Sequence, residues 1–164
     1  DQRPANGLAR WCAENGIKLL CYGSLAGGFL TEHWLDQPDP GFKFENRSLI
    51  KYRLIIDEFG SWDLFQTLLT TIKAIADKHG VYMSAVATRY VLDQPQVGAV
   101  IVGARYAHHL PQTLSVFQHC LDPDDHAVLG AVLAQRYGPS GHVYGLESDR
   151  TGRHGSIMKY NLNA

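Results

Sequence analysis

The 164-residue chain has little of what marks the specialised classes of protein. It has three cysteines, Cys12, Cys21 and Cys120, an odd number without C-x-x-C spacing, which argues against a disulfide framework. Cys12 and Cys21 fall in apolar-patterned segments, so the expectation is buried, reduced thiols and a cytoplasmic setting. Neither sign of charge is in excess. Fifteen Lys and Arg face 16 Asp and Glu, for a formal net charge of −1 and a pI near 6.8, and nothing electrostatic points to nucleic acid or an anionic membrane. No apolar run approaches the roughly 18 to 20 residues of a membrane span, and no charged-then-apolar leader opens the sequence. A phosphate-binding G-x-x-x-x-G-K loop and a G-x-S-x-G nucleophile elbow are both missing. The eight histidines show no H-x-x-x-H spacing, and the adjacent His108 and His109 do not by themselves make a metal site.

What is present is an ordinary apolar fraction, 45%, organised around residues 17–30, IKLLCYGSLAGGFL. Ile17, Leu19, Leu20, Cys21 and Tyr22 are too continuous for a half-exposed strand, so a strand buried on both faces is expected, with Lys18 reaching water at its entry. Gly23, Ser24, Ala26, Gly27 and Gly28 then leave backbone N–H groups free to approach an anion. On these residues alone, a plain strand-to-loop turn remains open. Residues 97–109, VGAVIVGARYAHH, repeat the pattern: a β-branched run ends at Gly103 and Ala104 and passes into a helix. Parallel strands need helical crossovers, and ligands collect at their carboxyl ends. In an eight-stranded βα barrel, phosphate commonly binds at the loops after the last two strands.

The intervening chain supplies the crossovers. Pro4 is placed to open a helix carrying Leu8, Ala9, Trp11 and Cys12 before Asn15-Gly16. Residues 31–46 are irregular and aromatic, with Trp34, Phe42 and Phe44, and are long enough for a functional lid. Helical spacing runs over 48–59, over 64–79 with a stop at Gly80, and over 85–92, where Tyr82 and Met83 make a weak start. Asp122, Pro123, Asp124 and Asp125 are a helix start, with the helix running to about Arg136. The tail, 137–164, is Gly-rich and polar, with Tyr144, Leu146, Ile157, Met158 and Tyr160 as scattered anchors, and is expected to need the rest of a barrel to lie on.

The order and spacing of LARWCAENGIKLLCYGSLAGGFLT, LLTTIKAIADKHGVYMSAVATRYVLDQP and VGAVIVGARYAHHLPQTL resemble the C-terminal half of an aldo-keto reductase. The resemblance implies an α/β fold: the C-terminal portion of a (β/α)8 TIM barrel, two parallel strands with helical crossovers, the barrel not closed in this chain. A complete barrel takes roughly 250 residues, and the sequence begins at Asp1, so a fragment is expected, with 1–136 as the partial barrel and 137–164 as its tail. The resemblance also implies NADP as cofactor, with NAD possible, and a small carbonyl or alcohol substrate in the intact enzyme.

Site residues follow from the same resemblance. Tyr22 stacks on the nicotinamide; Ser24, Leu25, Ala26, Gly27 and Gly28 match the pyrophosphate loop, where the Ser24 hydroxyl offers an extra donor. Gly103, Ala104 and Arg105 match the turn that holds the adenosine ribose and any 2′-phosphate, Arg105 by bidentate geometry. His109, Gln112 and Thr113 face the adenosine half, and Thr113 lacks the paired donor and acceptor of the Asn often found there. The family's catalytic Asp, Tyr, Lys and His come from the first half of the barrel and have no counterpart here, so this chain alone is expected to be inactive. Two readings stand: a cofactor-binding oxidoreductase segment, or a non-catalytic nucleotide-binding or assembly module that self-associates through exposed strand edges.

Overall fold

A computed structural model describes residues 1–5, 7–103 and 106–158. Two strands, β1 (Leu19–Tyr22) and β2 (Val97–Ile101), pair in parallel. The register sets Leu20 against Ala99, Cys21 against Val100 and Tyr22 against Ile101, with an irregularity between Leu19 and Leu20. Their carboxyl ends therefore finish side by side.

The strands are not buried on both faces. Leu20, Tyr22 and Ile101 are 62%, 54% and 57% exposed, while Leu19 and Cys21 are half-buried. This alternation belongs to a sheet covered on one face only. Continuity of apolar residues misled the sequence reading because a run meant for two covered faces meets only one helical layer within this chain. For the same reason Cys21 is half-buried, whereas Cys12 is buried as expected.

Helix α1 (Leu8–Glu14) precedes β1, but Pro4 does not open it; Pro4 sits in a separate 3-10 turn, Arg3–Ala5. The crossover between the strands is α2 (Arg47–Phe59), α3 (Trp62–His79) and α4 (Met83–Leu92). The Asn46 side chain accepts from Ser48 N–H and Ser61 Oγ accepts from Leu64 N–H, satisfying N-terminal donors of α2 and α3. Gly80, at φ 64°, closes α3 in the left-handed region. Tyr82 gives α4 no side-chain cap; the Glu32 carboxylate accepts the Met83 N–H instead, at 2.8 Å. After β2 come α5 (Leu110–Leu114) and α6 (Pro123–Leu133), which stops short of the expected Arg136. Asp122 and Asp125 form a reciprocal capping box at the start of α6.

The core is mainly between helices. Leu69, Met83 and Val86 are fully buried, together with Phe29 from the loop after β1. The segment expected as a lid is a plug. Trp34 stacks on Phe29 at 4.7 Å, and Phe44 and Trp62 meet Phe29 edge-on at 5.8 and 6.3 Å. The buried Arg53 guanidinium lies 4.9 Å over Phe42 and 5.3 Å over Trp62 while donating to Asp39 and Asp57. Trp62 Nε1 donates to the Gln37 carbonyl and Gln66 Nε2 to that of Trp34.

The tail also departs from expectation, because its described part lies on this chain itself. Tyr137 N–H donates to the Phe59 carbonyl, Arg153 pairs with Asp57 at 2.8 Å, and His154 Nε2 meets Glu58 at 3.1 Å. A short helix, α7 (Gly145–Ser148), brings the buried Glu147 to Arg3 at 3.2 Å. Charged partners, invisible to an apolar pattern, do the anchoring. Tyr160 lies outside the described residues. No helix among them is long and apolar enough to cross a membrane.

Candidate functional site

The loop after β1 is built on positive φ angles: 69° at Gly23, 48° at Ala26, 69° at Gly27 and 102° at Gly28. The Tyr52 ring from α2 lies against it. A Cβ on Gly23 would come 2.5 Å from Tyr52 Oη, and one on Gly27 would come 2.7 Å from Tyr52 Cδ2. Glycine is thus required twice over, by conformation and by contact. The loop's N–H groups are not all free, as the sequence had suggested. Ala26 N–H donates to the Gly23 carbonyl and Gly28 N–H to that of Leu25, at 2.9 and 2.8 Å, because so tight a turn closes on itself. Ser24 Oγ lies 3.5 Å from Thr88 Oγ1 on α4, so its hydroxyl is engaged with the helix. Phe29 then anchors the loop's far end in the core.

Tyr22, at the end of β1, leaves half of its surface exposed. Its hydroxyl is 2.9 Å from that of Tyr144. That hydrogen bond first, and burial second, push the Tyr22 phenol up to about 12.

Beside this loop, β2 leads to Gly103, where no atom of the described residues lies within 4 Å of a hypothetical Cβ; the same is true at Gly28. Ala104 and Arg105 lie outside the described residues. His109 ends the 3-10 turn Ala107–His109, exposed and edge-on to His108 at 4.2 Å and to Tyr106 at 5.7 Å. Thr113 Oγ1 donates to the His109 carbonyl at 3.1 Å, and the Gln112 carbonyl accepts from Ser115 Oγ at 2.7 Å. The structure therefore brings Tyr22, residues 23–28 and Gly103 together at the strand ends. His109, Gln112 and Thr113 follow along the next turn and helix, with local partners.

Sequence reasoning missed Tyr52, although its spacing from Leu49 and Ile56 puts it on one helical face with them. It also missed the contact of Tyr144 with Tyr22, for which no local signal exists. The loop and the Tyr52 ring help to line a part-open pocket of about 320 Å³. Elsewhere, His79, Asp122 and Asp125 bring potential ligand atoms within 4.8 Å of one another. Lys78 fills the cation's place, 2.5 Å from Asp122 and 2.8 Å from Asp125, while His79 Nε2 meets Asp125 at 2.7 Å. Burial would raise the Asp125 carboxyl, but bonds from Lys78, His79 and the Asp122 N–H outweigh it and hold it down to about 2. The cluster ties α3 to α6.

Comparison with known proteins agrees with this layout. The profile of the aldo/keto reductase family matches residues 1–134. Flagellar radial spoke protein 5 of Chlamydomonas reinhardtii is 36% identical over 94 residues, which are 56% of this chain and 18% of that protein. The structure of a glycerol dehydrogenase from Gluconobacter oxydans superposes with a TM-score of 0.65 at 21% identity, over 85% of this chain and 41% of that one. The chain thus spans less than half the length of either relative. At such identity the structural likeness speaks for fold, and the fold is a portion of the (β/α)8 barrel with its sheet open. With the family profile covering most of its length, the chain belongs to the aldo/keto reductase family, a family of oxidoreductases.

Proposed function

We propose that this chain forms the nicotinamide-cofactor end of an aldo/keto reductase barrel, taking NADPH, with NADH as the alternative. The observation that carries the reading is the parallel pairing of β1 with β2, which sets the carboxyl ends of the two strands, Tyr22 and Ile101, side by side. The residues present fit such a group. The open space at Gly28 and Gly103 lets an extended ligand approach the backbone of both turns, and the half-exposed Tyr22 ring offers a stacking surface. Residues 23–28 would hold the pyrophosphate; Gly103, Ala104 and Arg105 the ribose and any 2′-phosphate; His109, Gln112 and Thr113 the adenosine half. The cofactor, when bound, supplies hydride chemistry toward a small carbonyl or alcohol, while protein groups orient it.

Proton donation is another matter. General acid catalysis needs a group within hydrogen-bond reach of the carbonyl oxygen, and the family's Asp, Tyr, Lys and His set has no counterpart in this sequence. Tyr22 is no substitute, since its hydroxyl is bound to Tyr144 and its proton is held more tightly than usual. The chain by itself therefore binds cofactor without turning over substrate, residues 1–136 acting as the barrel portion and 137–164 as its tail. Three free thiols, at Cys12, Cys21 and Cys120, suit a reducing cytoplasmic setting.

Calorimetric titration with NADPH and NADH tests the reading. Saturable binding is expected, without cofactor oxidation when aldehydes are added. A second reading, an assembly module, is favoured by the bare sheet face at Leu20 and Ile101. If neither cofactor binds and sedimentation shows concentration-dependent association, that second reading replaces the first.

A further inference from the structure

A part-open pocket of about 320 Å³ lies among the helices. Ile55 and Phe59 of α2, Leu68 and Ile72 of α3, Val86 of α4 and Leu133 of α6 wall it. Its volume suffices for a small ring system, since ~150 Å³ is enough for benzene. Polar side chains line it as well, among them Ser24, Tyr52, Tyr90 and Tyr144. Largely apolar walls with a few polar groups are the make-up of small-molecule sites.

Charge decides the ligand's class. Among the lining residues Arg3 and Lys51 are matched by Asp1 and Glu147, and Arg3 is already bound to both acids, at 2.7 and 3.2 Å. No net charge awaits an ion, and a buried unpaired ion would be costly. Residues 1–3 and 143–147, from opposite ends of the chain, close one side and are joined through the Arg3–Glu147 pair.

We propose that this pocket is a binding site for a small neutral molecule of one or two fused apolar rings carrying one hydrogen-bonding group. The pocket borders the proposed cofactor site and shares Tyr22, Gly23, Ser24 and Ala26 with it, but its ligand class is argued from the lining alone. Its occupancy would be felt at the turn after β1, because Tyr52 both lines the pocket and supports Gly23 and Gly27.

The test uses the full chain, with indole and 2-naphthol as neutral probes and naphthalene-2-sulfonate as the charged counterpart, followed by calorimetry and by NMR of isoleucine and valine methyls. Saturable binding of a neutral probe is expected, with shifts at Ile55, Ile72 and Val86 and at least tenfold weaker binding of the sulfonate. Ala87→Phe, which places a ring in the cavity from α4, should weaken the neutral probe at least tenfold. Leu133→Phe is the second filling variant if the first does not fold. Absence of saturable binding by both neutral probes overturns the proposal. So does equal binding to the wild-type chain and a folded filled variant, which would place the probes on the bare sheet face instead.

Discussion

Tyr22 and Tyr144 meet hydroxyl to hydroxyl at 2.9 Å across 122 residues of sequence, so the tail reaches the strand end at the centre of the candidate site. Replacing Tyr144 by Phe removes the largest cause of the raised Tyr22 pKa. In NMR of ring-labelled tyrosine, the Tyr22 phenol should then titrate below its present value of about 12, closer to the ordinary 10.0. An unchanged Tyr22 titration would mean that the pair does not form.

The glycines after β1 should rank in cost by what lies beneath them. Gly23→Ala and Gly27→Ala combine a left-handed backbone with a clash against Tyr52, and each is expected to cost about 1–2 kcal/mol from the backbone alone, with the clash adding to it. Gly28→Ala has the positive φ but open space, and Gly103→Ala has open space without the positive φ, so the costs should fall in that order. Urea denaturation gives the ranking; equal costs at Gly27 and Gly28 would show that Tyr52 moves aside freely.

Arg3 and Glu147 join the two ends of the chain with little solvent around either side chain. Arg3→Met takes the guanidinium from the buried Glu147 carboxylate and should destabilise by roughly 3 kcal/mol, whereas Glu147→Gln leaves Arg3 its pair with Asp1 and should cost less. The double variant should be less destabilised than the two single effects added together. A double-mutant cycle in denaturant measures the difference, and strict additivity would separate the two residues energetically.

Asp125 sets an acid limit. A carboxylate held below its ordinary 3.8 stabilises the fold above that value, and its contribution is lost as pH falls through about 2. Denaturation midpoints should therefore drop between these values, and Asp125→Asn should flatten that drop while lowering stability at neutral pH, where the capping box and the His79 and Lys78 bonds are weakened. An acid profile identical to the wild type would remove Asp125 as its source.

Much of this architecture was legible because it rests on local rules. The face of α3, its stop at Gly80 and the acidic start of α6 are written in spacing and caps that act within a few residues. The turn after β1 was visible through its glycines. What escaped was non-local. Nothing near Glu32 announces that it caps α4, nothing near Phe29 announces the aromatic cluster built on it, and nothing in the tail's scattered anchors names Tyr22, Asp57 or Arg3 as partners. The strand faces were misjudged for a related reason: a pattern records which surfaces a chain is prepared to cover, and not which neighbours are there to cover them.

Phe29 follows directly on Gly28 and is wholly enclosed, while Tyr22 at the other end of the same turn is locked in the sheet. The turn is an arch with both abutments fixed and Tyr52 as its centring. Such an arch cannot swing open like a gate; it can adjust to a guest only by flexing at its crown. Amide exchange there should consequently follow opening of the whole helical core more closely than any separate motion of the turn.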